Sequence, residues 1–235
     1  MILGSVGMVY FLAAVLPALV LMRYIYRKDT VEKEPAGLLV RCVVSGVFSA
    51  LLAMVLEEIG ESVLSRLISP DSRLFILLLA FLVVAGAEEC AKFLFLKRAT
   101  WRTPHFNYRF DGVVYAVFVS LGFAAFENVG YVMGYGLSVA PLRAVLSIPA
   151  HMSFAVFMGL YYGRARRMAN RGDRGAAARL NRRGVLMAMF LHGFYDTCAM
   201  LGTVLSTAVF AVFVILLDIA VIRTVRDEAV TDEPI

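Results

Sequence analysis

Two adjacent carboxylates, Glu88 and Glu89, and an ammonium four residues on, Lys92, interrupt the apolar run Leu74–Leu96. Three more apolar stretches carry similar groups: Glu127 with Asn128, His151, and His192 with Asp196. Left isolated in hydrocarbon, the five ions Glu88, Glu89, Lys92, Glu127 and Asp196 would together cost roughly 12–18 kcal/mol. They must therefore meet one another or water. On a helix, Glu88 and Glu89 lie at i,i+4 and i,i+3 from Lys92, so one ammonium reaches both carboxylates. His192 and Asp196 are also i,i+4, which lets the carboxylate orient the imidazole. Such a set suits water activation: a carboxylate takes a proton from water, a donor holds the oxyanion, and an acid supplies the leaving amine. Glu88 or Glu89 fits the base and His192, oriented by Asp196, the donor or acid. Asn128 is expected to help hold the oxyanion.

The elements that must position these groups are membrane helices. The chain has 235 residues, 60% hydrophobic and 17% charged, with mean hydropathy +0.77. That composition excludes an ordinary soluble domain. Seven runs of about 20 residues are long enough to cross a bilayer: Ile2–Tyr26, Gly37–Leu56, Leu74–Leu96, Gly112–Val132, Ala144–Tyr162, Gly184–Thr203 and Val204–Ile222. The last two abut, so a tight turn near Gly202 must part them, and six spans is the rival count. The expected fold is an all-α polytopic bundle, one integral membrane domain over 1–235, with the bundle at 1–222 and a cytoplasmic tail at 223–235.

Lys and Arg set the expected orientation. The loops after spans one, three, five and seven hold Arg27, Lys28 and Lys33; Lys97, Arg98, Arg102 and Arg109; eight arginines from Arg164 to Arg183; and Arg223 with Arg226. The other loops hold Arg66, Arg73 and Arg143. An outside N-terminus and a cytoplasmic C-terminus place every basic cluster inside. With about 1.5 Å rise per residue, Glu88, Glu89 and His192 lie roughly 12 Å from that side, His151 and Asp196 about 18 Å, and Glu127 about 22 Å. Four helices thus bring acids and imidazoles to one slab.

The remaining features have simpler readings. The net charge of +5 is a topology signal, and the arginine loop an anchor near anionic lipid rather than a nucleic-acid site. Cys42, Cys90 and Cys198 have no metal or disulfide spacing. The apolar N-terminus precedes its positive charges, so it reads as a retained span and not a cleaved signal. Glu57 and Glu58 are expected at the water or headgroup level, and the acidic tail Asp227–Ile235 is expected to be mobile. Glu127 reads equally as a partner for Lys92, and the Glu88–Glu89–Lys92 trio as a structural ion pair.

The segments EECAK (Glu88–Lys92), FAAFEN (Phe123–Asn128), HMSFAVFMG (His151–Gly159) and HGFYD (His192–Asp196) resemble the four motifs of PrsW-type intramembrane proteases: EExxK, FxxxE, a histidine eight residues before a glycine, and HxxxD. RKDTVEKEP (Arg27–Pro35) and FDGVVYA (Phe110–Ala116) resemble the family too. The resemblance covers about three quarters of the chain. It implies a multi-pass cell-membrane hydrolase that makes a first cut in a single-span anti-sigma factor near its outer face. It puts water activation on Glu88 and Glu89. In the wider clan of CAAX prenyl proteases and the Aph scaffold subunit, Glu127 stands where prenyl proteases carry histidine. His192 with Asp196 stands where they carry an oxyanion-binding pair.

No HExxH, GxGD or GxSG setting is present, which sets aside three other intramembrane protease chemistries. Carboxylates and imidazoles also bind zinc, but no obligate cofactor is expected. The rival functions are a proton- or ion-coupled transporter, a non-catalytic Aph-like scaffold and prenyl-peptide processing.

Overall fold

A computed structural model of the chain describes residues 2–235, with side chains from Gly7 onward. Seven helical spans are long and apolar enough to cross a membrane, and no strand forms among the described residues. They are α1 (Ile2–Lys28), α2 (Ala36–Leu67), α3 (Arg73–Thr100), α4 (Asp111–Tyr135), α5 (Leu137–Asn170), α6 (Arg174–Leu201) and α7 (Val204–Val230). The count of seven holds against six. Gly202, at φ 59°, makes the expected turn after α6, and Thr203 with Ser206 form a reciprocal cap that starts α7. The left-handed backbone there favours glycine.

The centre is α4, with 78% of its apolar window buried, whereas α7 buries 17% and faces outward. Two glycine crossings hold α4 in place. A Cβ at Gly122 would lie 2.4 Å from the Val43 carbonyl of α2, and one at Gly159 of α5 only 2.6 Å from the Gly112 carbonyl. Without side chains, the backbones approach closely, as membrane helices need in order to pack without a hydrophobic drive. Gly112 and Gly159 each belong to a motif singled out in the sequence, and packing on one another accounts for both.

Two spans are not uniform α-helix. In α3 the stretch Leu79–Val84 is π-helical, just ahead of Glu88, and in α5 so is Arg143–Ser147, just ahead of His151. Such wide turns recur at functional sites because they rotate the residues that follow them.

The C-terminus differs from its expected mobility. Helix α7 runs on to Val230, and Thr231–Ile235 docks on the loop between α3 and α4. The Arg109 amide donates to the Glu233 carbonyl, the Ile235 amide to the Asn107 carbonyl, and the Phe110 amide to Asp232 Oδ1. Glu233 also pairs with Arg109 and Arg167. The acidic residues that suggested a solvated tail are held by the arginines of this basic end.

Candidate active site

The buried ammonium of Lys92 organises the site. Its Nζ is 2.8 Å from Glu88 Oε2, 2.8 Å from Glu89 Oε1 and 3.1 Å from His151 Nδ1. An ammonium has three protons and no lone pair, so these three acceptors use it completely. The ring of Phe123 closes the remaining side, 4.1 Å from Nζ, as a cation–π contact. Phe123, a motif residue, thus packs against a charge.

These contacts dictate the state of His151. Because Lys92 donates to Nδ1, that nitrogen carries the lone pair. The proton is then on Nε2, which donates to Glu127 Oε2 at 3.2 Å. His151 is a neutral imidazole of defined tautomer.

His192 is in the opposite situation. Its Nδ1 is 3.0 Å from Glu89 Oε1 and its Nε2 is 3.3 Å from Asp196 Oδ2, so both ring nitrogens face carboxylates. A neutral ring has one N–H and cannot satisfy both. The trio Glu89–His192–Asp196 therefore holds one proton more than two carboxylates and a neutral imidazole. Phe154 stacks on the His192 ring at 4.9 Å and His151 meets it edge-on at 5.4 Å. Glu88 Oε2 lies 3.9 Å from His192 Nδ1, so the groups gather as their depths implied.

Two expectations change. Asn128 is fully buried, its Nδ2 donates to the Ala14 carbonyl at 2.7 Å, and its Oδ1 accepts from Arg143 Nε at 2.7 Å. Both ends of its amide are engaged inside the bundle, and Asn128 is not among the residues that line the cavity. Glu127 makes no direct bond to Lys92; its Oε2 is held by Arg143 Nη2 at 2.8 Å and by His151.

Arg143 is the residue of this site that sequence reasoning missed. It pins Glu127 and Asn128 and stacks over Tyr131 at 3.8 Å. The available signal was a lone arginine in a short loop just before a span; the π-helical turn brings it into the site. Glu57, expected at the water or headgroup level, lines the cavity, on a helix α2 that continues to Leu67.

That cavity has a volume of about 470 Å³, and Glu57, Glu88, Glu127, Arg143, His151, His192 and Asp196 are among the polar residues of its wall. Its size is that of a small-ligand or peptide-segment site. Glu89 does not reach it. Cys90 is exposed on another face and Cys198 is a wall residue; all three cysteines are free thiols. The cavity occupies the half of the bundle away from the basic end.

Donors from Glu88, Glu89 and His151 lie within 4.8 Å of one another, a set whose chemistry could hold a metal ion. The fit fails while Lys92 is present, since the three acceptors already converge on its ammonium.

Comparison with known proteins agrees with the geometry. Residues 34–222 match the family model described as PrsW family intramembrane metalloprotease. Protease PrsW of Clostridioides difficile (strain 630) is 32% identical over 211 residues, covering 88% of this chain and 86% of that protein. Protease PrsW of Bacillus subtilis (strain 168) is 32% identical over 184 residues, 78% of this chain and 79% of that one. Protease PrsW of Oceanobacillus iheyensis is 34% identical over 184 residues, 78% and 80% of the two chains. No solved structure matches the chain. A family match over residues 34–222 and relatives about one third identical over most of their length, on a chain with seven spans and a polar cavity among them, lead to one conclusion: the chain belongs to the PrsW family of intramembrane proteases.

Proposed function

We propose that the protein hydrolyses a peptide bond of a single-span, membrane-anchored regulatory protein of the anti-sigma-factor type, using water activated by Glu88. The observation that carries this reading is that Glu88, and not Glu89, lines the cavity. Glu88 takes a proton from water, and the oxygen attacks the carbonyl carbon. Arg143, the cation on the cavity wall, replaces Asn128 as the group that stabilises the oxyanion. The extra proton shared by His192 and Asp196 passes to the leaving nitrogen as the C–N bond breaks. Glu88 then returns its proton to that trio through water. Glu89 holds His192 and shares Lys92, which makes it a positioning residue. Glu127 and His151 keep Arg143 and Lys92 in register.

With the basic end in the cytoplasm, the cavity lies in the outer half of the membrane, and the cut falls near the outer face of the substrate helix. A second reading takes its support from the family description as a metalloprotease: Glu88, Glu89 and His151 would hold the ion once Lys92 had moved aside, and the ion would supply Lewis-acid chemistry.

The deciding experiment is cleavage of a single-span substrate by the purified protein, with Glu88→Gln, and with and without chelator. The expected results are loss of cleavage in the variant at normal protein level, and wild-type cleavage that survives chelation. Normal turnover by Glu88→Gln would overturn the proposal. Loss on chelation with recovery on added zinc would select the metal reading.

A further inference from the structure

At the basic end, the acids pair with only some of the cations. Glu228 and Glu233 engage Arg109, Arg164 and Arg167. Lys97, Arg98, Arg102, Arg166 and Arg174 form no salt bridge among the described residues, yet they converge on Trp101 where α3 ends. Lys97 Nζ lies 5.4 Å from the Trp101 ring, and the Arg166 guanidinium 5.6 Å from it and 5.7 Å from Phe106. Two hollows flank this ring and share it with Lys97. One, of about 230 Å³, is lined by Arg174 and Asn181; the other, of about 360 Å³, by Leu94, Arg98 and Arg102.

Cations gathered without acids repel one another, so the arrangement calls for an anion from outside the chain. Two buried polar atoms here have no partner: Arg166 Nε, a donor, and Asn181 Oδ1, an acceptor on a residue only 6% exposed. A tryptophan beside basic side chains at a helix end is the pattern of the membrane–water interface. The first turn of α6 starts at Arg174 and is capped by Asp173, whose Oδ1 accepts from the Ala176 amide, so the cations and not the helix end supply the positive charge here.

We infer that Trp101, with Lys97, Arg98, Arg102, Arg174 and Asn181, forms a binding site for the headgroup of an anionic glycerophospholipid of the phosphatidylglycerol class. Lys97 and the arginines take the phosphate, and a headgroup hydroxyl donates to Asn181 Oδ1. The acyl chains run down the outer face of α3 past the exposed Leu94. The site is separate from the catalytic cavity, and the inference does not depend on the protease reading.

Trp101 is the only tryptophan in the chain, so its fluorescence reports on this site directly. The test places the full chain in mixed micelles with phosphatidylglycerol or phosphatidylcholine carrying brominated acyl chains, which quench a tryptophan they touch. Brominated phosphatidylglycerol should quench at least about tenfold more effectively, each cation contributing about fivefold. The triple substitution Lys97→Gln, Arg98→Gln and Arg102→Gln should abolish the preference. Asn181→Leu, which removes no charge, should reduce the preference for phosphatidylglycerol over brominated phosphatidic acid. Equal quenching by the anionic and zwitterionic lipids in the wild type would overturn the site whatever the variants do. An unchanged preference in Asn181→Leu would reduce it to diffuse charge and overturn it as a built pocket. Loss of the preference in millimolar inorganic phosphate at matched ionic strength would overturn the lipid assignment in favour of a soluble phosphate.

Discussion

Two groups of buried carboxylates lie in this molecule, and they are neutralised by different means. In the catalytic cavity, Glu88 and Glu89 share Lys92 while Glu127 is held by Arg143. At the basic end, Asp29, Glu34, Asp111 and Asp232 come together with no salt bridge to any of them among the described residues. Tyr115 donates its hydroxyl to Glu34 at 2.6 Å, and the amides of Asn107 and Tyr108 donate to Asp111 Oδ2. Asp29 Oδ2 and Asp111 Oδ1 have no partner. Burial pushes Glu34 up to about 7 and Asp29 to about 6, with neighbouring acids adding to the shift. Fixed cations balance the first group; the second has no cation bonded to it, and burial raises the affinity of its carboxyls for protons. A group balanced by protons responds to pH across the physiological range, and one balanced by lysine and arginine keeps its charges in place. A site proposed to keep one carboxylate ready to take a proton from water gains from fixed cations.

The comparison can be broken most directly at Lys92. Lys92→Met leaves two buried carboxylates without their shared cation and should cost about 3–5 kcal/mol, read as a large fall in the thermal unfolding midpoint in detergent. Near-normal stability would mean that the cavity, too, is balanced by protons.

The next largest effect should separate the two histidines. His192→Gln removes the ring that carries the extra proton and should lower cleavage about 10³-fold. His151→Gln keeps a neutral hydrogen-bonding group where a neutral ring stood, and should cost about tenfold. Their kcat values measured side by side sharpen the contrast; equal losses would erase it.

Arg143→Gln should then reduce kcat about tenfold to a hundredfold by freeing Glu127 and weakening the oxyanion contact, with Arg143→Lys recovering part of the loss. A purely structural arginine would lower stability and kcat together, so the unfolding midpoint is measured alongside.

The smallest effect belongs to the basic end. Glu34 binds its proton more tightly when folded than when unfolded, so the folded state holds a proton the unfolded chain releases above its ordinary range. Stability from this group is complete at pH 4 and is lost as pH rises toward about 7. Asp29 behaves likewise up to about pH 6. The unfolding free energy should therefore fall by about 1–2 kcal/mol between pH 5 and 8, part of the shift being screened by water. Glu34→Gln should flatten that slope, and an unchanged slope would remove Glu34 as its source.

Much of this architecture was legible beforehand because it is local. Seven apolar runs gave seven spans, and the Gly202 turn fell where two runs touched. The i,i+3 and i,i+4 spacings around Lys92 became hydrogen bonds, and that between His192 and Asp196 a 3.3 Å ion-pair contact, since a helix carries such neighbours with it. Boundaries were less legible. Helix α2 continues past Leu56 to Leu67 and carries Glu57 on the cavity wall. The tail was misread because its acids look solvated until the arginines of α5 and the α3–α4 loop are brought beside them.

By itself the sequence determined that acids and imidazoles from four helices fall within one central slab, because rise per residue and the edges of apolar runs are properties of a chain taken in one dimension. Only the tertiary structure decided which face each helix presents. That choice engaged both ends of the Asn128 amide, brought Arg143 in, left Glu88 at the cavity and withdrew Glu89. The physical reason is that rotation about a helix axis follows from contacts between distant segments, here the Gly112–Gly159 crossing and two π-helical turns, and no local spacing encodes it.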